Sequence, residues 1–205
     1  KVLTYSAKDR KYKVWSLKDY SFMYCMDEQS IEEIKISPGI MLVIFNKSDD
    51  EASIPLQIRN IETGEILKDF DHKLTPRKEI EFIEQFNEKL LVKQEGEALQ
   101  IVDVHTSAII HLAESRFATP TAFIFLYENQ LFLTFRNRQV SVWNFRGEQV
   151  TKFDDHVLWH PDTNTNNIYI TSTQDYIISH CRRPEGDDRP GGTINVSSIL
   201  SGKCI

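Results

Sequence analysis

Little in this chain of 205 residues invites a catalytic reading. Cysteine is scarce: Cys25, Cys181 and Cys204 are odd in number and lack CxxC spacing, which argues against a disulfide framework or a zinc knuckle. They read as reduced, buried thiols. Glycine is scarce too, and the close pair Gly191-Gly192 lies in a polar loop, so no phosphate-cradling loop is visible. A GxSxG elbow and an HExxH helix are both missing. Positive charge is short: 24 Lys and Arg stand against 30 Asp and Glu, a net charge of −6. That balance speaks against a global electrostatic hold on nucleic acid or an anionic membrane. No apolar run approaches the ~20 residues of a membrane-spanning helix. No window of about 12 residues keeps a clean helical period. The opening residues, Lys1 to Ser6, read as a strand rather than a signal peptide, and the abrupt ends read as those of a piece of a longer polypeptide.

What is present is a folded core and a repeat. Hydrophobic residues make up 40% and aromatics 11%, with 12 Phe, enough to exclude a disordered chain. One phrase recurs: an alternating strand, a short turn, a second strand, a polar loop, then a third strand ending on a fixed polar residue before a tight turn and a fourth strand. The third-strand endings are Val14-Trp15-Ser16, Ile58-Arg59-Asn60, Ile101-Val102-Asp103, Val142-Trp143-Asn144 and, more loosely, Val196-Ser197-Ser198. Asn60 follows Ser16 by 44 residues, Asp103 follows Asn60 by 43, and Asn144 follows Asp103 by 41. Ser198 comes 54 residues after Asn144, so the last unit carries an insertion. A four-stranded unit of ~40–45 residues is the period of a propeller blade. The units fall at about 1–26, 31–70, 79–112, 121–153 and 168–205 of one domain, about 19 strands in all. The first unit lacks its first strand, and the last ends inside its fourth, Cys204–Ile205. Continuous apolar runs such as Ile40 to Phe45 fit strands buried on both faces, as in a blade, better than the half-exposed strands of a sandwich.

These units resemble WD40 repeats in a degenerate form. The best copy is Leu3 to Leu17, with Ser6-Ala7-Lys8-Asp9 as the turn and Lys13-Val14-Trp15 as the strand. The Trp-Asp ending becomes Trp15-Ser16, Arg59-Asn60, Val102-Asp103, Trp143-Asn144 and Ser197-Ser198, and Phe70-Asp71-His72 and Phe153-Asp154-Asp155-His156 resemble the entry to the next blade. The resemblance implies an all-β propeller of about five four-stranded antiparallel blades, the first and last incomplete. It also implies a polar network of loop histidine, turn aspartate and third-strand tryptophan, here drawn from His72, His156, Asp9, Trp15 and Trp143. Asp103 is the one surviving aspartate of the Trp-Asp pair.

The resemblance implies a non-catalytic scaffold that holds a protein or peptide partner. In propellers, blade-linking loops and the loops between second and third strands share one face. Two long loops would therefore rise together: 154–167, with an apolar Val157-Leu158-Trp159 amid polar residues, and 182–192, rich in Pro, Gly and charge. Trp159 either folds back as a plug or serves as an aromatic anchor, with His160 beside it. Lys8, Arg10, Lys11, Arg136, Arg138, Arg182, Arg183 and Arg189 would form a basic sector. Asp49, Asp50, Glu51, Glu95 and Glu97 would form an acidic one. The expected partner-binding residues are Trp159, His160, Arg136, Arg138, Arg182, Arg183 and Arg189. No cofactor is expected. His156-x3-His160 falls in a loop, where helical metal-ligand spacing carries little meaning. A cytoplasmic or nuclear location fits the cysteine usage. The alternative is a hydrolase using the central channel, with Glu32, Glu33, Glu79 and Glu81 as candidates.

Overall fold

The computed structural model describes residues 1–27, 30–47, 51–136, 139–153, 168–182 and 192–205, and for residues 180–182 and 192–193 the backbone alone. Among them the chain is all-β, without a helix, and every strand pairs antiparallel to its sequence neighbour. The first sheet holds β1 (Val2–Ser6), β2 (Lys11–Trp15) and β3 (Phe22–Asp27). The second holds β4 (Ile31–Ile36), β5 (Ile40–Phe45), β6 (Ser53–Asn60) and β7 (Ile66–Lys73). The third holds β8 (Ile80–Phe86), β9 (Lys89–Gln94), β10 (Leu99–Asp103) and β11 (Ile109–Leu112). The fourth holds β12 (Ala122–Leu126), β13 (Leu131–Arg136), β14 (Gln139–Asn144) and β15 (Gln149–Phe153). The fifth holds β16 (Ile168–Ile170), β17 (Tyr176–Arg182) and β18 (Gly192–Ser198). Its expected fourth strand reduces to one antiparallel bridge, Ser197 to Cys204. The chain forms two compact units, Lys1–Ile109 and Ile110–Ile205.

Alternation decides which side chains enter the core. In the second sheet Met41 and Val43 point one way, and Leu42, Ile44, Leu56 and Ile58 the other; all are under 4% exposed. The Met41 side packs on the first sheet, against Met26, Leu3, Tyr12 and Tyr24. The Leu42 side packs on the third sheet, against Ile83, Leu90, Val92 and Val102. In the other unit, Leu131, Leu133, Val140 and Val142 of the fourth sheet meet Ile168, Ile177 and Ile199 of the fifth. Burial on both faces explains why β5 reads as a continuous apolar run rather than an alternating one. The same alternation corrects one expectation: Cys25 and Cys204 are free and exposed, not buried. Cys25 sits opposite Lys13, on the face away from Tyr24 and Met26.

The third sheet buries a charge. Lys93 has no exposed surface and shares a face with Leu91, Leu99 and Ile101. Its ammonium lies 3.2 Å from the Glu81 carboxylate and donates to the Gln94 carbonyl at 3.0 Å. Glu81 stands where the register of β8 shifts between Ile80 and Phe82, and such a bulge re-aims a side chain. Removing the counter-charge of a fully buried ammonium strands that charge, whereas replacing the ammonium by an apolar chain leaves only a carboxylate that water still reaches. Glu81→Ala is therefore expected to lower stability by about 3 kcal/mol and Lys93→Met to leave it unchanged or raised, as read by urea denaturation. Equal losses from the two variants would contradict this account.

Candidate functional site

Each sheet has two ends, and at one of them the same turn between third and fourth strands recurs. Its fixed polar residue caps the turn. Asn60 Oδ1 accepts the N–H groups of Glu62 at 2.8 Å and Thr63 at 3.2 Å. Asp103 Oδ1 accepts from Thr106 at 2.7 Å, and Asn144 Oδ1 from Arg146 at 2.9 Å and Glu148 at 3.0 Å. Ser16 Oγ accepts from Lys18 and Ser198 Oγ from Ser201. Lys89 also meets the Asp103 carboxylate, and this contact with the turn N–H groups holds that carboxyl well below the ordinary range. The residue that closes each turn has positive φ: Tyr20, Gly64, Ser107, Gly147 and Gly202. Just before the cap, the third strand shifts register against the fourth at Val14/Trp15, Ile58/Arg59 and Val142/Trp143.

The two tryptophans of the phrase occupy matching places. Trp143 Nε1 donates to Thr134 Oγ1 at 2.9 Å, and Trp15 Nε1 to Thr4 Oγ1 at 2.9 Å. In both, the threonine lies on the preceding strand, two residues beyond the tryptophan's cross-strand neighbour. Strands β1, β2 and β3 therefore correspond to β13, β14 and β15. The phase of the first sheet is that of a second, third and fourth strand, as the repeat predicts. Trp143 is buried against Phe117, ring centroids 5.3 Å apart, while Trp15 is only half-buried and meets Phe22. At the same phase of the second sheet stands Arg59, which donates to Gln57 and to the Gly64 carbonyl.

The histidine and aspartate expected to join the tryptophans lie elsewhere. Asp9 accepts from Ser6 at 3.0 Å and Lys13 at 2.9 Å. His72 is in strand β7, not a loop. It is buried, its Nε2 has no partner among the described residues, and it hydrogen-bonds the Gln100 side chain of the third sheet. His156 lies outside the described residues.

A further contact recurs that the sequence phrase did not flag. A fourth-strand side chain reaches across to the next sheet's turn. Tyr24 OH donates to the Ile61 carbonyl at 3.0 Å, and burial pushes that hydroxyl's pKa up, so it stays a donor. Lys68 Nζ donates to the Val104 carbonyl and to Ser107 Oγ. In the other unit Thr151 abuts Gly202 so closely that a Cβ there would meet its Oγ1 at 2.5 Å. These three residues share one register position, opposite Val14, Ile58 and Val142. Only the count back from the fixed polar residue could have found them.

At the opposite end lie the loops expected to bind a partner. In the first unit Gln94 ties the segment joining the second and third sheets: it accepts from Thr75 N at 2.8 Å and donates to the carbonyls of Thr75 and Lys78. Beside it Lys47, Arg77, Lys78 and Glu79 line a pocket of about 420 Å³. Lys78 Nζ comes within 3.3 Å of where a Cβ on Gly96 would stand, so a basic side chain reaches the turn that carries the acidic residues Glu95 and Glu97. Lys11, in turn, is paired with Asp27 at 3.4 Å. Of the expected partner-binding residues, Arg136 is exposed at the end of β13. The backbone of Arg182 closes β17. Arg138, Trp159, His160, Arg183 and Arg189 lie outside the described residues, as do Asp49 and Asp50. Of the candidate hydrolase acids, Glu81 serves Lys93, and Glu33 pairs with Lys35 at 2.9 Å.

The family described as "Domain of unknown function (DUF7899)" matches residues 1–205. No curated protein matches. Among solved structures the chain is similar to the crystal structure of the computationally designed Ika8 protein, at 15% identity and a TM-score of 0.47. The match covers 96% of this chain and 57% of that one, so the chain spans less than two thirds of that protein's length.

Two expectations follow from the site. Gly64→Ala combines a strained φ with a Cβ 2.6 Å from the Tyr24 ring, whereas Gly39→Ala has the strain and open space. The first is expected to lower stability by about 2–3 kcal/mol and the second by about 1 kcal/mol in urea denaturation. The second concerns acid. Burial holds the His72 pKa below its ordinary 6.5, with the Gln100 bond opposing. The fold therefore keeps the neutral ring, and its contribution is complete above pH 6.5 and lost as pH falls below it. The wild-type chain should lose more stability than His72→Gln between pH 7 and pH 5 when both are melted across that range, at about 1.4 kcal/mol per unit of depression.

Proposed function

As the chain belongs to this family, whose description assigns no activity, we propose that it is a non-catalytic protein–protein interaction scaffold. In this reading its sheets are blades of a WD40-like propeller, part of a larger polypeptide or complex, cytoplasmic or nuclear, and a protein or peptide partner docks on the loop ends. The observation that carries it is the recurrence of one built unit. The third-strand cap stands at Ser16, Asn60, Asp103, Asn144 and Ser198, the register shift before it in the first, second and fourth sheets, and the fourth-strand reach to the next turn at Tyr24 and Lys68. Sheets built to bury both faces spend their apolar surface on one another. What remains for recognition is the ends of the strands. Of the two ends, the turns are short and capped by their own side chains, so the longer loops are where a partner has variable chemistry to read.

The test uses the loop residues. Trp159→Ala combined with Arg182→Ala and Arg183→Ala is expected to cut recovery of a bound protein in affinity capture by roughly tenfold or more, since aromatic and arginine anchors dominate such interfaces. The melting temperature should stay unchanged. A matching fall in melting temperature would instead make Trp159 a plug of the fold, and undiminished recovery would remove these loops from the interface.

A further inference from the structure

We propose that the gap between the second and third sheets, at the turn end, is a binding site for a small carboxylic acid carrying a ring-sized apolar group. The yardstick is the gap between the first and second sheets. There Tyr24 fills the space beside the turn, its ring so close to Gly64 that no side chain fits between them. Lys68 stands at the same register position in the next gap and reaches the equivalent carbonyl, that of Val104 in place of Ile61. A lysine stem is thinner than a phenol ring. What remains is a cavity of about 520 Å³, walled by Ile40, Ile58, Leu67 and Val104. That volume lies in the ~300–1,000 Å³ range of small-molecule sites, and an apolar wall with one fixed polar group is their usual character.

The polar group is the Lys68 ammonium. Among the described residues its acceptors are neutral: the Val104 carbonyl, the Ser107 hydroxyl at 2.9 Å, and the Phe70 ring with its centroid 5.3 Å away. Two of its three N–H groups are used, so one donor and the whole charge stay available at the lip. Glu88, also at the lip, is engaged by His105, Nε2 to Oε1 at 3.1 Å. An anion bonded to Lys68 would project its apolar part into the space that Tyr24 fills in the preceding gap. A carboxylate suits a lysine held in this way, because a charge-assisted bond is shorter and stronger than one to a neutral acceptor.

The probe is 3-phenylpropanoate, titrated into the whole chain and followed by backbone amide NMR. Saturable shifts are expected at Ile40, Leu67 and His105, with a dissociation constant on the order of 1 mM for so small a ligand. The uncharged 3-phenylpropanamide should bind about tenfold more weakly, and Lys68→Met should weaken the acid by the same factor. The pair Lys68→Tyr with Ser107→Gly rebuilds the Tyr24–Gly64 contact in this gap. It should abolish binding and raise the melting temperature. Absence of saturable shifts, equal affinity for acid and amide, or full binding by Lys68→Met would each overturn the proposal, and none depends on the paired variant folding. Binding of an N-acetylated tripeptide ending in Phe, with none of the free acid, would overturn it in favour of a peptide terminus.

Discussion

Everything in this structure depends on a sheet having two apolar faces. A strand exposed on one side can alternate polar and apolar residues; β5, β9 and β13 cannot, because Met41 and Leu42, or Leu90 and Leu91, each need cover on opposite sides. The second sheet meets that demand with the first sheet on one side and the third on the other, and the fourth meets the fifth on one of its sides, which leaves strand ends as the places where polar residues are free to specialise. The capped turns, the reaching fourth-strand side chains and the long loops are three uses of those ends. The burial of Lys93 marks the exception, a charge admitted to a face only because a bulge delivers Glu81 to it.

The strands were legible because their signal is local. The apolar run Ile40 to Phe45 is β5 residue for residue, and the units read at 79–112 and 121–153 enclose β8 to β11 and β12 to β15. That signal failed where pairing extends beyond apolar content. Strand β6 begins at Ser53 and β7 runs to Lys73, because Ser53, Pro55 and Asp71 pair along a ladder that their side chains do not advertise. The last strand shrank to a bridge for the opposite reason: Cys204 and Ile205 look apolar, but only one pair forms.

Side-chain roles were less legible, because they depend on what faces a residue. Cysteine usually prefers the interior, yet the parity of β3 turns Cys25 outward. His72 was placed in a loop by resemblance and is held in a strand by the register of β6 with β7. The fixed polar residue was visible as a pattern, but its work as an acceptor for turn N–H groups needed coordinates. The cavity beside Lys68 was invisible in principle: it is a difference between two equivalent gaps, and comparing them requires knowing that Tyr24 and Lys68 share a position.

The acceptor in the reach between sheets is a backbone carbonyl, Ile61 or Val104, and every residue type supplies one. The donor needs only length and a polar tip, so a phenol and an ammonium serve equally. A junction specified by the main chain on one side places almost no demand on which amino acids evolution installs on the other. Repeats joined this way are free to drift until their letters no longer match, while the geometry that joins them is inherited intact.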